Sequence, residues 1–168
     1  MKKIKFNVTA LFLSLLVVTS FTSCDEGGEP DPGGTTTESF AGDWYITGYF
    51  PDLTPAYGGG YVLYSTYNAA SNDENFWIDD HGTFFEIKTK VQVQDFGQHT
   101  FAGPAEAPEL VTGGTVTVSN GRIFKNGGMS TGGHVVDSIY FEAEFDWDPG
   151  TVYRFGGHKR TGFLEDEH

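Results

Sequence analysis

The chain has 168 residues, ten of them basic and 23 acidic, for a formal net charge of −13. A field of that sign repels phosphate backbones, and no basic stripe counters it, so nucleic acid is excluded as a partner. A single cysteine leaves no intrachain disulfide, so the fold must be held by its core, for which fifteen Phe, eight Tyr and three Trp supply large burial per residue.

Lys2, Lys3 and Lys5 precede an apolar run from Ala10 to Val18 that closes on Phe21-Thr22-Ser23-Cys24. A basic start, a short apolar stretch and small residues before the cut read as a secretory signal over 1–23. The run is too short to span a bilayer. Small residues directly before a cysteine resemble a bacterial lipobox, with Phe21 where Leu is usual. The resemblance implies that Cys24 is acylated, becomes the mature N-terminus and makes the membrane a partner through its lipid. The plainer alternative is an ordinary cleaved signal that leaves Cys24 as a free thiol. Without residues 1–23, seven basic residues face 23 acidic ones, a net charge of −16.

Residues 24–38 hold acidic residues, Gly, Pro and three Thr but almost no apolar side chain, and read as a tether. The acidic start resembles the export signal of some surface-exposed lipoproteins, although Asp beside the cysteine favours inner-membrane retention in other bacteria. The expected address is the cell envelope, lipid-anchored, with the outer membrane favoured. The domain is then 39–168, long enough for one core.

Within it, strands are expected at 43–50, 60–68, 75–79, 84–94, 98–103, 114–119, 121–126, 138–146 and 151–159. In 84–94, Phe85, Ile87, Thr89, Val91 and Val93 alternate with polar residues; Ile139, Phe141, Ala143 and Phe145 do the same later. Period two marks half-buried strands. Asn120-Gly121 is the strongest turn signal between them, because a type I′ turn needs positive φ at both central positions. The fold class is therefore all-β, an antiparallel barrel of about eight or nine strands. Gly42-Asp43-Trp44 opens the first strand and Arg160 lies just past the last, as in lipocalin-like barrels, where a terminal arginine stacks over the indole. Gly42, Trp44 and Arg160 are the expected closure residues.

Phe40-Ala41-Gly42-Asp43-Trp44-Tyr45, Phe76-Trp77-Ile78-Asp79-Asp80, Val136-Asp137-Ser138-Ile139-Tyr140-Phe141-Glu142 and Gly157-His158-Lys159-Arg160-Thr161-Gly162-Phe163 together resemble the lipid-binding putative hydrolase family. The resemblance covers residues 40–168 and implies small bacterial lipoproteins with a lipocalin-like barrel. It carries no catalytic residues with it.

Gly128-Met129-Ser130-Thr131-Gly132 matches G-x-S-x-G. That elbow works only where a strand turns into a helix, and here the motif lies among glycines between two expected strands, so a hairpin loop is expected. Ser130 or Ser138 could be joined with His134 or His158 and a carboxylate, but no spacing links them. Asp79-Asp80-His81 has turn duty rather than a metal, and Asp146 and Asp148 match no calcium loop. No catalytic residue, metal or cofactor is assigned. The expected function is non-catalytic binding of a hydrophobic small molecule or lipid in the lumen, at Phe85, Ile87, Phe141, Ala143 and Phe145. Two cases stay open: Phe85, Ile87, Phe141 and Phe145 fill the lumen and function lies on the rim or surface, or smaller inward residues, Ala143, Ser65, Thr89 and Gly156, leave a gap for an apolar ligand. A neutral or zwitterionic ligand fits the acidic exterior. Two alternatives stand beside this: a glycan-binding surface protein using Tyr49, Tyr57, Tyr61, Tyr64, Tyr67 and Trp77, and an esterase.

Overall fold

The structure is a computed structural model and describes residues 34–168. The signal, Cys24 and residues 24–33 of the expected tether lie outside the described residues. Nine strands follow in order: β1 (Gly42–Tyr49), β2 (Val62–Asn68), β3 (Asn75–Asp79), β4 (Lys88–Asp95), β5 (Thr100–Ala102), β6 (Ala107–Pro108), β7 (Thr115–Met129), β8 (Val135–Phe145) and β9 (Val152–Lys159). Three short 3-10 turns complete the described residues. Eight strands pair antiparallel with their chain neighbours and close into a barrel, with β6 outside. One seam joins β1 to β9, from Trp44 opposite Lys159 to Tyr49 opposite Arg154. The other joins β5 to β7 through Thr100–Arg122 and Phe101–Gly121. The expected all-β antiparallel barrel is the fold.

Inward and outward residues alternate as the sequence period requires. Ile87, Thr89, Val91 and Val93 are buried on β4 and its lead-in, and Ile139, Phe141, Ala143 and Phe145 on β8. Two expectations change. Asn120-Gly121 is not a hairpin turn, and 114–119 and 121–126 are one strand. Ser119 opposes Glu142 and Arg122 opposes Tyr140, so three steps along β7 match two along β8. Asn120, with φ 51°, is the extra residue of a bulge. A second irregularity follows at Asn126, φ 53°, where Phe124 opposes Ser138 and Gly128 opposes Val136. Both bend a long strand around the barrel. The other change is at β4, which starts at Lys88 rather than Phe84, because Asp80 gathers the backbone of the preceding residues into a loop.

Two residues of the expected tether bond to the β2–β3 end of the barrel. Thr36 bonds to Asn72 through its amide and hydroxyl, and Thr37, fully buried, donates its hydroxyl to Asn68 at 3.0 Å.

The lumen is solid. Phe40 plugs one end, 5.3 Å from Phe76, and Phe76 lies 5.2 Å from Phe101. Phe101 leads to Phe141, which stacks on Phe155 at 4.7 Å and 7°. Phe85 then meets Phe155 edge-on at 4.7 Å and Tyr57 at 5.6 Å. This unbroken column of rings runs from the Phe40 end to the opposite mouth.

Candidate functional site

The five residues expected at the lumen are all buried in the barrel interior, which answers to the filled of the two expected cases. Ile87, Phe141 and Ala143 are fully buried, and Phe145 is nearly so. Of the small residues expected to leave a gap, Ala143 and Thr89 are buried in the packed interior. Ser65 and Gly156 are on the outer face: Ser65 bonds to Asp43 and His81, and Gly156 lines an outer groove with Tyr49 and Leu53. Phe145 borders a smaller groove beside Pro149, and Phe85 reaches a wider open space. Phe85 forms the floor of a cleft of about 680 Å³ at the mouth, lined also by Tyr57, Phe84, Glu86, the Thr112-Gly113-Gly114 turn, Asp146 and Trp147.

Four loops build this mouth, and buried carboxylates hold two of them. Asp80 accepts hydrogen bonds from five backbone amides, those of Gly82, Phe84, Phe85, Glu86 and Ile87, at 2.9–3.2 Å. It thereby presents Phe84, Phe85 and Glu86 in one fixed turn, with Glu86 at φ 53°. Glu109 does the same for the β6–β7 loop, accepting from the amides of Val111, Thr112 and Lys88 and from the Thr112 hydroxyl. Burial pushes the Glu109 carboxyl up, but these donors outweigh it and hold its pKa below the usual value. On the β8–β9 loop, Trp147 stacks on Phe145 at 5.0 Å and 25°, lines the cleft and remains about half exposed. Tyr153, beneath it, donates to Asp148 at 2.7 Å; burial, then Asp148, push its hydroxyl pKa well up.

The closed end carries the expected closure residues, with one correction. Trp44 is buried and its indole N–H donates to Thr66 at 2.8 Å. The cation over its ring is Lys159, with Nζ 5.7 Å from the centroid, and not Arg160. The reason is strand period: Lys159 is the cross-strand partner of Trp44, so Arg160, one residue on, turns to the other face. Its amide still donates to the Asp43 carbonyl, and its guanidinium donates to Glu167 at 2.7 and 2.9 Å. Gly42 lies against Lys159.

Ser130, His134 and Asp166 do meet. Ser130 occupies the β7–β8 hairpin loop, strand to strand, so G-x-S-x-G is not an elbow. His134 presents a single nitrogen, Nδ1, to both Ser130 Oγ (3.4 Å) and Asp166 Oδ2 (3.0 Å). A relay needs the acid on one ring nitrogen and the nucleophile on the other. Ser130 Oγ also accepts the His134 amide at 3.0 Å. Thr161 and the Gly132 amide complete the bonds around buried Asp166. The arrangement clasps the C-terminal segment over β1 and β9. Burial raises the Asp166 pKa, and its donors more than reverse this, holding it far below the carboxylate range. Beside the clasp, burial and then the nearby His168 lower the His158 pKa.

Sequence reasoning missed the carboxylate cages and the mouth. Asp79-Asp80-His81 was legible as a turn, but the reach of Asp80 to Ile87 was not. Among the described residues, no group of three His, Cys, Asp or Glu is placed to hold a metal. The rings expected to form a sugar platform are scattered. Tyr64 is in the core, Tyr61 packs on His168, Tyr67 donates to Asp79, and Trp77 lies under Lys90.

A closed barrel with a packed interior and an aromatic cleft at one mouth defines a small β-barrel whose lumen is filled and whose cleft opens at the rim. The chain belongs to the lipid-binding putative hydrolase family, which it matches over residues 29–164. Comparison with curated proteins gives no match. The family and the barrel together support a lipid-binding role.

Proposed function

We propose that the protein is a lipid-anchored envelope protein that binds a hydrophobic small molecule or lipid at the mouth of its barrel, without catalysis. The observation that carries the binding site is the cleft walled by Tyr57, Phe84, Phe85 and Trp147 above a filled lumen. Its volume suits part of a lipid-sized ligand, since pockets of about 300–1,000 Å³ hold small molecules. The acyl chain would lie along the rings, and the mouth loops are fixed by Asp80 and Glu109 before any ligand arrives. Support for anchoring comes from the lipobox-like cut before Cys24.

Two experiments test this. In titrations of the full chain carrying Cys24→Ser with decyl maltoside below its micelle concentration, binding is expected, and Trp147→Ala is expected to weaken it about tenfold or more. No binding to the unsubstituted cleft overturns the site. Mass spectrometry of the mature protein should show an acylated N-terminal Cys24; a bare terminus cut elsewhere overturns the anchor.

A further inference from the structure

The chemistry of the mouth says more than that it is apolar. Its rings are joined by two carboxylates, Glu86 and Asp146, and no Lys or Arg lines it. Among the described residues neither carboxylate is in an ion pair, while Lys88 Nζ bonds to Asp79 at 2.7 Å and Arg154 donates to the Pro51 carbonyl at 3.0 Å. Asp146 is fixed by the Thr115 amide at 2.9 Å. Glu86 is exposed, but its backbone is pinned by Asp80. Trp147 lines the cleft, is about half exposed, and has Phe145 stacked on one face. Tyr57 stands nearly perpendicular to Phe84, at 5.4 Å.

Ring faces attract cations, and a ring of them with carboxylates behind suits a cation that needs no hydrogen bonds. We propose that the mouth cleft is a binding site for a cationic amphiphile, a quaternary ammonium head group resting on Tyr57, Phe84 and Trp147 with Glu86 and Asp146 as counter-charges. This rests on the cleft being the ligand site and names the class of ligand it selects. A primary ammonium is held less well, because the cleft must replace its strongly bound water with hydrogen bonds. An anionic head group meets two uncompensated carboxylates.

The test compares amphiphiles of one chain length against the full chain carrying Cys24→Ser: decyltrimethylammonium, decylammonium, decyl maltoside and decyl sulfate, each below its micelle concentration. Decyltrimethylammonium should bind about tenfold tighter than decyl maltoside and tighter than decylammonium, and decyl sulfate should bind weakest. Glu86→Gln and Trp147→Leu should each bring the trimethylammonium preference close to one. Glu74→Gln, an exposed carboxylate on the β2–β3 loop at the other end, should leave it unchanged. Equal binding of decyltrimethylammonium and decyl maltoside overturns this inference and leaves the apolar site standing. No binding of any of the four overturns both. A preference that survives Glu86→Gln and Trp147→Leu but falls with salt belongs to the acidic surface as a whole and also overturns it.

Discussion

Asp80 does for the mouth what a small core does for a domain: one side chain, fully buried, organises eight residues of chain. An amide buried without its acceptor costs about 1–3 kcal/mol, less where water can replace the acceptor. Asp80→Ala frees five amides at once, and Asp80→Asn offers two of its own donors where only donors face it. Each change is expected to lower unfolding free energy by roughly 3–5 kcal/mol, as measured by urea denaturation. A loss under about 1 kcal/mol would mean that the loop holds itself. At the closed end the same resolution separates two neighbouring cations. A double-mutant cycle should give about 0.5–1 kcal/mol of coupling between Trp44 and Lys159. Arg160 should couple to Glu167 and show none with Trp44; the reverse result would contradict the observed register. Ser130→Ala removes the acceptor of the His134 amide, so its expected effect is a modest loss of stability.

The long strand β7 shows how one signal can serve two elements. Asn-Gly marks a place where the chain adopts positive φ, and both a type I′ turn and a β-bulge need that. The choice is made by what lies opposite, and β8 runs unbroken past the site, so a bulge results. Only Asn120 takes the positive φ; Gly121 is required for a different reason, since a Cβ would overlap the ring of Phe101, itself fully buried at the β5–β7 seam. Gly121→Ala is therefore expected to cost about 2–3 kcal/mol, while Asn120→Gly, which keeps the left-handed conformation open, should be nearly neutral. Near-equal midpoints for the two variants in denaturant would show that the seam yields. The strands themselves were legible because alternation is a local property. The mouth cleft was not, because Tyr57, Phe85, Asp146 and Trp147 come from three separate loops that only barrel closure brings together. The stacking cation was misplaced by a single residue, which in a strand reverses the face.

At the scale of the whole molecule, acidity and burial act against each other. Several carboxylates have pKa values held down in the folded protein: Asp79, where burial is outweighed by Lys88 and Tyr67; Asp137, by the Asn126 amide and Lys125; Glu142, through Tyr140; and Asp166 most of all. A carboxylate with a depressed folded pKa stabilises the protein at pH values above its unfolded pKa, and this contribution is lost as pH falls through the folded value. His158 adds an earlier, smaller step. Its folded pKa is lowered by burial, so below its ordinary value the unfolded chain takes up a proton that the folded one does not. Unfolding free energy, followed by urea denaturation from pH 8 to pH 2.5, should thus decline gently from about pH 6.5 and steeply below about pH 4. Asp166→Asn should lower stability at pH 7 and flatten the steep limb, since the clasp over β1 and β9 then no longer depends on that carboxylate's charge. If stability instead rose continuously to pH 3, relief of the repulsion among 23 acidic residues would be the larger effect, and the paired carboxylates would not be what holds the barrel's loops and ends in place.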